Sequence, residues 1–462
     1  MSRVVDHARA AREFIADQPH LEFHDKRLWE LKGKRDAQSQ AVPEWDELRE
    51  LASAIKEHTL THLADHLEEF ERNATKNGIR VHWARDGAEH NRIVHEILSA
   101  RGATRLVKSK SMVTEECNLR EFLEKRGVRV TETDLGERIQ QLDGEMPSHI
   151  VIPAVHKLTG DVAKLFSEHF GTDPRCDDPR DLARAQRDHT RSLYLEADAG
   201  MTGANFFVAE TGSIVVCTNE GNADLCTSVP SLHIASLGIE RVLPSLEHVP
   251  VFVRMLSRSA IGTPITQYTS HFAGPRPDDP RAEMHVILLD NGRSARLGME
   301  DYWSSLKCIR CGACMNACPV YRRSGGLSYG AVYSGPIGAI IDPTFDAKKY
   351  SGLPFASTLN GACSEVCPVK INIHEQLLKW RQALAKQHHL PFVKREAMRL
   401  LGRVMASPRL FRSAIAGTST ALEALPRFAI YNWLNPWGRA REIPVPPEQT
   451  FREWYLSNRG KS

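Results

Sequence analysis

Six cysteines fall within sixty residues: Cys308, Cys311, Cys314 and Cys318 ahead of Pro319, then Cys363 and Cys367 ahead of Pro368. The run C-x2-C-x2-C-x3-C-P is a spacing that binds iron-sulfur cubes. Its first three thiolates take three irons of one [4Fe-4S] cluster, its fourth serves another cluster, and a distant Cys-Pro closes the first. On that pattern Cys308, Cys311, Cys314 and Cys367 would ligate cluster one, and Cys318 and Cys363 would belong to cluster two. The chemistry implied is electron transfer in single steps. Zinc fits the spacing poorly, because its usual signature is two separated cysteine pairs.

The second half of the pattern is incomplete. A full motif would place cysteines at positions 357 and 360, where the chain has Ser357 and Asn360. Two thiolates remain for a second cluster. A Ser357 alkoxide, an Asn360 amide, water or a partner subunit could complete it, and each binds iron less well than a thiolate.

Other residues offer chemistry more ambiguously. Lys108, Ser109, Lys110 and Ser111 lie between an expected strand and helix, where open α/β sheets bind ligands. Free amides and two cations there could hold a carboxylate or phosphate, or Ser111 or Thr114 could simply cap the helix. His58, His62 and His66 share one helical stripe, a geometry that can bind metal, but a half-buried histidine seam is the better expectation. Glu210-Thr211-Gly212-Ser213 and Asn219-Glu220-Gly221-Asn222 satisfy turn chemistry, with a pocket border as the alternative. Neither G-x-G-x-x-G nor a P-loop occurs, so a flavin or nucleotide has no motif behind it.

The elements that must position these groups follow from periodicity. Residues 1–75 carry apolar positions at helical spacing, such as Leu51, Ile55, Leu60, Leu63, Leu67 and Phe70, and are expected to form an outer helical layer. From Ile79 short apolar strands alternate with amphipathic helices: Ile79 to Ala84, Ala88 to Ala100, Ala103 to Val107, Glu115 to Arg126, Val128 to Thr131. That rhythm predicts a parallel sheet with crossover helices. His149 to Ile152 is expected to continue it, then helices over Thr159 to Phe170 and Leu182 to Ala197, a hairpin of Asn205 to Ala209 with Ser213 to Thr218, and a last strand from Met284 to Asp290. The expected domains are 1–75, an α/β domain over 76–297, a ferredoxin-type domain over 298–376, and a basic helical segment over 377–462.

With 462 residues, 42% apolar, the chain can build two or three cores. Its N-terminus mixes charge with apolar residues and no long apolar run occurs, so neither a secretory signal nor a membrane span is expected. Cysteines used as ligands suit a reducing cytoplasm, and Cys117, Cys176, Cys217 and Cys226 read as inert thiols. The net charge of +3 hides an asymmetry: from Leu377 to Arg441 twelve Lys or Arg stand against Glu396 and Glu423. Trp380, Trp433 and Trp437 and apolar residues such as Leu400, Val404 and Phe411 are interleaved there. This pattern suggests a docked partner protein; an anionic membrane surface or a solvated face are the alternatives. No nucleic-acid partner is expected.

Together the stretches VKSKSMVTEE (Val107 to Glu116), AETGSIVVCTNEGNADL (Ala209 to Leu225), CIRCGACMNACPVYRRSGG (Cys308 to Gly326), YSGPIGAI (Tyr333 to Ile340), GACSEVCPVKINIHEQL (Gly361 to Leu377) and NPWGRAREIPVPPEQTFREWY (Asn435 to Tyr455) resemble the lactate-utilization family of LUD-domain iron-sulfur proteins. The resemblance spans nearly the whole chain. It implies an α/β LUD domain of CoA-transferase-like fold with N-terminal helices, then an α-helical ferredoxin-type [4Fe-4S] domain and a basic helical tail. It further implies two partners, a cysteine-rich CCG-domain subunit and a second LUD-domain protein, in oxidising L-lactate to pyruvate. The family's first cluster falls on Cys308, Cys311, Cys314 and Cys367, and its second on Cys318, position 360 and Cys363. Asn360 departs from the family's cysteine. The leading expectation is an electron-transfer subunit. A LUD enzyme with a structural cluster and a redox-sensing scaffold are the rivals.

Overall fold

The computed structural model describes residues 4–432, 442, 447 and 449–459. Its backbone divides into two units, one running to Gln387 and one from His388. Trp433, Trp437, Arg439 and Arg441 of the basic segment lie outside the described residues, as does most of the stretch from Asn435 to Tyr455.

Ten strands form among the described residues of the first unit: β1 (Arg80–Ala84), β2 (Arg105–Lys108), β3 (Arg129–Glu132), β4 (Ala199–Gly203), β5 (Phe206–Val208), β6 (Ser213–Thr218), β7 (Leu232–Gly238), β8 (Val242–Leu243), β9 (Tyr268–Phe272) and β10 (Glu283–Leu289). Six make one all-parallel sheet in the order β1-β10-β7-β4-β2-β3. Strand side chains alternate between faces. Ile234 and Ile287 accordingly enter one core with Val94, Leu98, Leu106 and Met201. Ala235, Leu237, Val286 and Leu288 enter the other with Leu67, Phe70 and Phe207. Burial on both faces explains the near-continuous apolar runs of β7 and β10. The chain steps outward from β2 to β3, then crosses to β4 and on through β7 to β10. The connections on either side of β2 and β4 therefore leave in opposite directions, which opens a crevice at their carboxyl ends.

The expected hairpin forms as β5 and β6, antiparallel with Phe206 opposite Val215, within a second sheet ordered β8-β5-β6-β9. Its turn needs Gly212, whose φ is +64° and whose missing Cβ would strike the backbone of Ala74. Asn73 and Asn77 donate to the carbonyls of Ala209, Glu210 and Thr211, which satisfies the turn as its chemistry suggested.

Two segments depart from expectation. The helix expected from Glu115 to Arg126 breaks into Met112–Glu116 and Leu119–Glu124 at Asn118, whose φ is +50°. Asn91 takes the Cys117 carbonyl at 2.7 Å and holds that break. His149 to Ile152 is not a strand but an irregular segment, buried at His149 and Ile150 and half-buried at Val151 and Ile152. Its polar groups pair with the cysteine segment: the Ser148 carbonyl accepts from the Tyr321 hydroxyl at 2.6 Å and the Ser334 hydroxyl at 2.9 Å.

The N-terminal helices form a collar. Helices Gln18–Gln40 and Trp45–Thr61 share one apolar core with helix Val249–Ala260 and the cysteine segment, through Leu28, Trp45, Ile55, Phe252, Met315 and Ile371. Arg35 donates to the Val366 carbonyl at 3.1 Å, and Arg49 to those of Cys367 at 3.1 Å and Glu365 at 2.8 Å. The loop bearing the closing Cys-Pro is thus gripped from residues more than three hundred positions earlier. Helix Leu63–Lys76 instead covers the parallel sheet.

The second unit holds helices Phe392–Ala406 and Pro408–Ala424, the latter capped by Ser407, and the short Arg427–Ile430 and Phe451–Asn458. Helix Phe392–Ala406 buries none of its side chains. No helix among the described residues is long and apolar enough to cross a membrane.

Candidate functional site

The cysteine segment is built from tight turns that short helices close. Gly312, at φ +75°, precedes helix Ala313–Ala317, and a Cβ there would lie 2.9 Å from the His149 ring. Pro319 opens helix Pro319–Ser324, whose first turn is capped by Cys318 Sγ accepting the Tyr321 amide. In the second motif Gly361, at φ +85°, precedes helix Ala362–Glu365.

Four thiols, from Cys308, Cys311, Cys314 and Cys367, line a single small cavity whose remaining wall is mainly apolar: Ile150, Ile309, Ile337, Val369, Ile371 and Ile373. No carboxylate or imidazole enters it. The Arg310 amide donates to Cys308 Sγ and the Ile371 amide to Cys367 Sγ, each at 3.4 Å, contacts that favour anionic sulfur. Burial, and then the neighbouring sulfurs, push the Cys314 thiol well above its ordinary range. A cation bound there would favour the thiolate over that proton. Four soft donors in a dry, preformed pocket fit a [4Fe-4S] cube, and these four residues would hold it.

Cys318 and Cys363 form a separate pair. Burial and then the charge of Cys318 push the Cys363 thiol up to about 11. The two positions that would complete this set are spent on turns: Ser357 Oγ accepts the Leu359 amide at 3.1 Å, and exposed Asn360 accepts the Ala362 amide at 3.2 Å.

Beside the four-thiol cavity lies a chamber of about 260 Å³. It occupies the crevice at the strand ends, bordered by Ser109 to Met112 after β2, Gly203 to Asn205 after β4, and Gly238, Glu240 and Arg241 after β7. Ile150 and Arg310 line both spaces and form part of the wall they share. The inner wall is an ion network. Arg293 makes two 2.9 Å bonds to Glu116 and one of 2.6 Å to Glu240. Arg241 and Arg310 approach the other Glu240 oxygen at 3.7 and 3.8 Å. Burial opposes ionisation of Glu240, but Arg293, Arg241 and Arg310 outweigh it and hold its pKa at about 2. The Tyr333 hydroxyl donates to Glu116 at 2.5 Å while its ring lies 4.2 Å beneath the Arg310 guanidinium.

The expected Lys108–Lys110 anion site needs correction. Lys108 is fully buried, with Nζ 2.8 Å from Glu132, 3.3 Å from Glu115 and 3.6 Å from Glu137. Three carboxylates already compete for its charge, so it has none to offer an anion. Lys110 does reach the chamber, where it donates to the Val151 carbonyl at 2.5 Å. Ser111 caps the following helix by accepting the Thr114 amide at 3.4 Å. Asn219, Glu220 and Asn222 border the chamber, the alternative to a plain turn that the sequence left open. The His58, His62 and His66 rings pack on one another, with centroids 4.7 and 5.6 Å from that of His58. Sequence reasoning missed Arg241, Arg293, Arg310, Glu240, Glu116 and Tyr333. Glu116, Arg310 and Tyr333 do lie inside stretches that carry the family resemblance, and Arg310 stands between two cluster cysteines.

Residues 67–289 match the LUD domain model and residues 304–371 the 4Fe-4S dicluster domain model. A lactate utilization protein B from Geobacillus kaustophilus is 44% identical over 424 residues, 89% of this chain and 88% of its own. One from Shouchella clausii is 42% identical over 437 residues, 92% of this chain and 91% of its own. A mixed α/β LUD domain followed by an iron-sulfur domain, with this identity along almost the whole length, places the chain in the lactate utilization protein B family, to which it belongs.

Proposed function

We propose that this chain is the iron-sulfur electron-transfer subunit of an assembly that oxidises L-lactate to pyruvate. The observation that carries this reading is the shared wall: Ile150 and Arg310 line both the four-thiol cavity and the polar chamber. The names of the relatives supply the substrate, lactate. A [4Fe-4S] centre held by Cys308, Cys311, Cys314 and Cys367 would carry electrons singly, whereas oxidation of a 2-hydroxy acid releases a pair. Further redox partners are therefore required, and a cysteine-rich CCG-domain subunit and a second LUD-domain protein are the ones proposed.

The chain's own residues prepare the path. Ile150, Ile309, Ile337 and Ile371 keep water from the sulfurs, and the Arg310 and Ile371 amides stabilise their charge. Cys318 and Cys363 supply two thiolates only, which favours one cluster in this chain. The second unit exposes Phe392 (68%) and Val393 (78%) beside Lys394, Arg395 and Arg399, a surface suited to a partner.

The test is anaerobic mixing of the oxidised, iron-loaded chain with L-lactate, alone and with both partners, followed by EPR. Reduction only in the complete mixture is expected. Full turnover by a variant lacking the cluster, Cys311→Ser, would instead favour a LUD enzyme with a structural cluster.

A further inference from the structure

We infer that the chamber is a binding site for a small monocarboxylate of the 2-hydroxy or 2-oxo acid class, with the Arg310 guanidinium seated on the carboxylate. This rests on the proposed lactate chemistry, and it places the acid on this chain rather than only on a partner.

Three observations carry it. Arg310 Nη1 is buried and has no hydrogen-bond partner among the described residues. Leaving a buried donor of a charged group unpaired is costly, so the site is built for an acceptor that it does not itself contain. Among the described residues no carboxylate of the surrounding network bonds this nitrogen, and buried Asp342, whose ionised form Arg310 favours, leaves its own Oδ2 unpaired. Glu116 is committed to Arg293, Tyr333 and Asn291, and Glu240 is shared among three arginines and stays 3.8 Å from Arg310. Finally, the guanidinium faces the chamber. It lies over Tyr333 and toward Glu240, both of which line the chamber and not the four-thiol cavity, while the backbone amide of Arg310 donates to Cys308 Sγ.

Shape and position fix the ligand class. At about 260 Å³ the chamber suits an acid of a few heavy atoms with some waters and is small for a nucleotide. It stands at the strand-end crevice where parallel sheets bind ligands. Gly238 lets the Glu240–Arg293 pair lie directly against the end of β7, since a Cβ there would collide with both side chains. Fixed arginine forks match carboxylate geometry in two-point contact. Asp134 and Glu220, also in the lining, oppose a second negative charge and favour a monoacid over a diacid.

The test is equilibrium dialysis of labelled pyruvate against the iron-loaded full chain without partners. Saturable binding is expected, at least tenfold weaker in Arg310→Gln and partly restored in Arg310→Lys, with iron content and EPR signal retained. Equal binding by wild type and Arg310→Gln, or none by wild type, overturns the inference. So does a changed EPR signal with unchanged binding, which would assign Arg310 to the cluster alone. Should Arg310→Gln lose iron, Cys217→Phe decides: it fills the chamber from β6, and binding that survives it overturns the inference. The readout needs no turnover. Binding without lactate-driven reduction in the complete mixture would sink the electron-transfer reading alone, and turnover without binding here would sink this inference alone.

Discussion

His149 donates from Nε2 to the Asn316 side-chain oxygen at 3.1 Å, and Asn316 sits between Cys314 and Cys318. The His149 Nδ1 accepts the amides of Val151 and Ile152 at 3.0 and 3.1 Å, which fixes the proton on Nε2. Asn316 in turn donates to the Ala260 carbonyl at 3.2 Å. This chain of bonds ties the segment bearing Ile150 to the helix between the cysteines. It sets the wall between chamber and thiol cavity.

His149→Ala should therefore loosen that wall. The expected cost is about 1–3 kcal/mol, from the three bonds lost and the unpaired groups left buried, with iron lost faster to a chelator. Asn316→Ala should cost a similar amount, and the double variant less than the sum, because both remove one bond. Chelation rates and apparent Tm for the four proteins measure this; strict additivity would contradict the coupling.

Much of the fold was legible in the sequence because it is local. The β1 to β4 rhythm, the β5–β6 turn at Gly212 and the cysteine run all declare themselves within a few residues. His149 to Ile152 misled because a largely apolar tetrad has the texture of a strand, whereas the partners of this stretch and of neighbouring Ser148 are Asn316, Tyr321 and Ser334, known only once the fold brings them together. Lys108 misled for the same reason: Glu115, Glu132 and Glu137 reach it from a helix, β3 and a second helix. The chamber wall was illegible as a set, since Glu116, Glu240, Arg293, Arg310 and Tyr333 come from five separated segments.

Lys108→Met separates a structural lysine from a ligand-binding one. It leaves three carboxylates without their cation in a buried site, so a loss of about 3–5 kcal/mol is expected. In whatever fraction folds, pyruvate affinity should be unchanged. A stable variant with weakened affinity would restore Lys108 to the anion site.

Buried neutral histidines should make the fold sensitive to acid. Burial, and then Lys110, hold His149 at about 3, and burial, and then His285, hold His233 at about 3. Both lie below the unfolded value of about 6.5, so below that pH the unfolded chain binds a proton the folded chain refuses. Their stabilisation is complete above pH 6.5 and is lost as pH falls toward 3, at about 1.4 kcal/mol per pH unit for each histidine. Glu220, whose carboxyl burial pushes up to about 7, acts in the opposite sense, so the histidine contribution is read as a difference: from pH 6.5 to 5 the apparent Tm of wild type should fall relative to that of His233→Gln. Equal pH slopes in the two proteins would contradict the neutral, buried state of His233.

The two sets of cysteines should respond differently to substitution. Cys308→Ser or Cys311→Ser should remove most of the iron, because each takes one of four thiolates from the cavity. Cys318→Ser and Cys363→Ser should retain it. Equal losses in all four variants would show that the two sets are not separate sites.

The most direct measurement is iron and acid-labile sulfide per chain on anaerobically purified protein, with EPR of the reduced form. We expect about four irons and four sulfides, the content of one cube on Cys308, Cys311, Cys314 and Cys367, with a single uncoupled signal. About eight irons with spin-coupled signals would contradict a single centre and send the search to Ser357, Asn360 or a partner for the missing ligands. Iron near zero would contradict the electron-transfer subunit altogether.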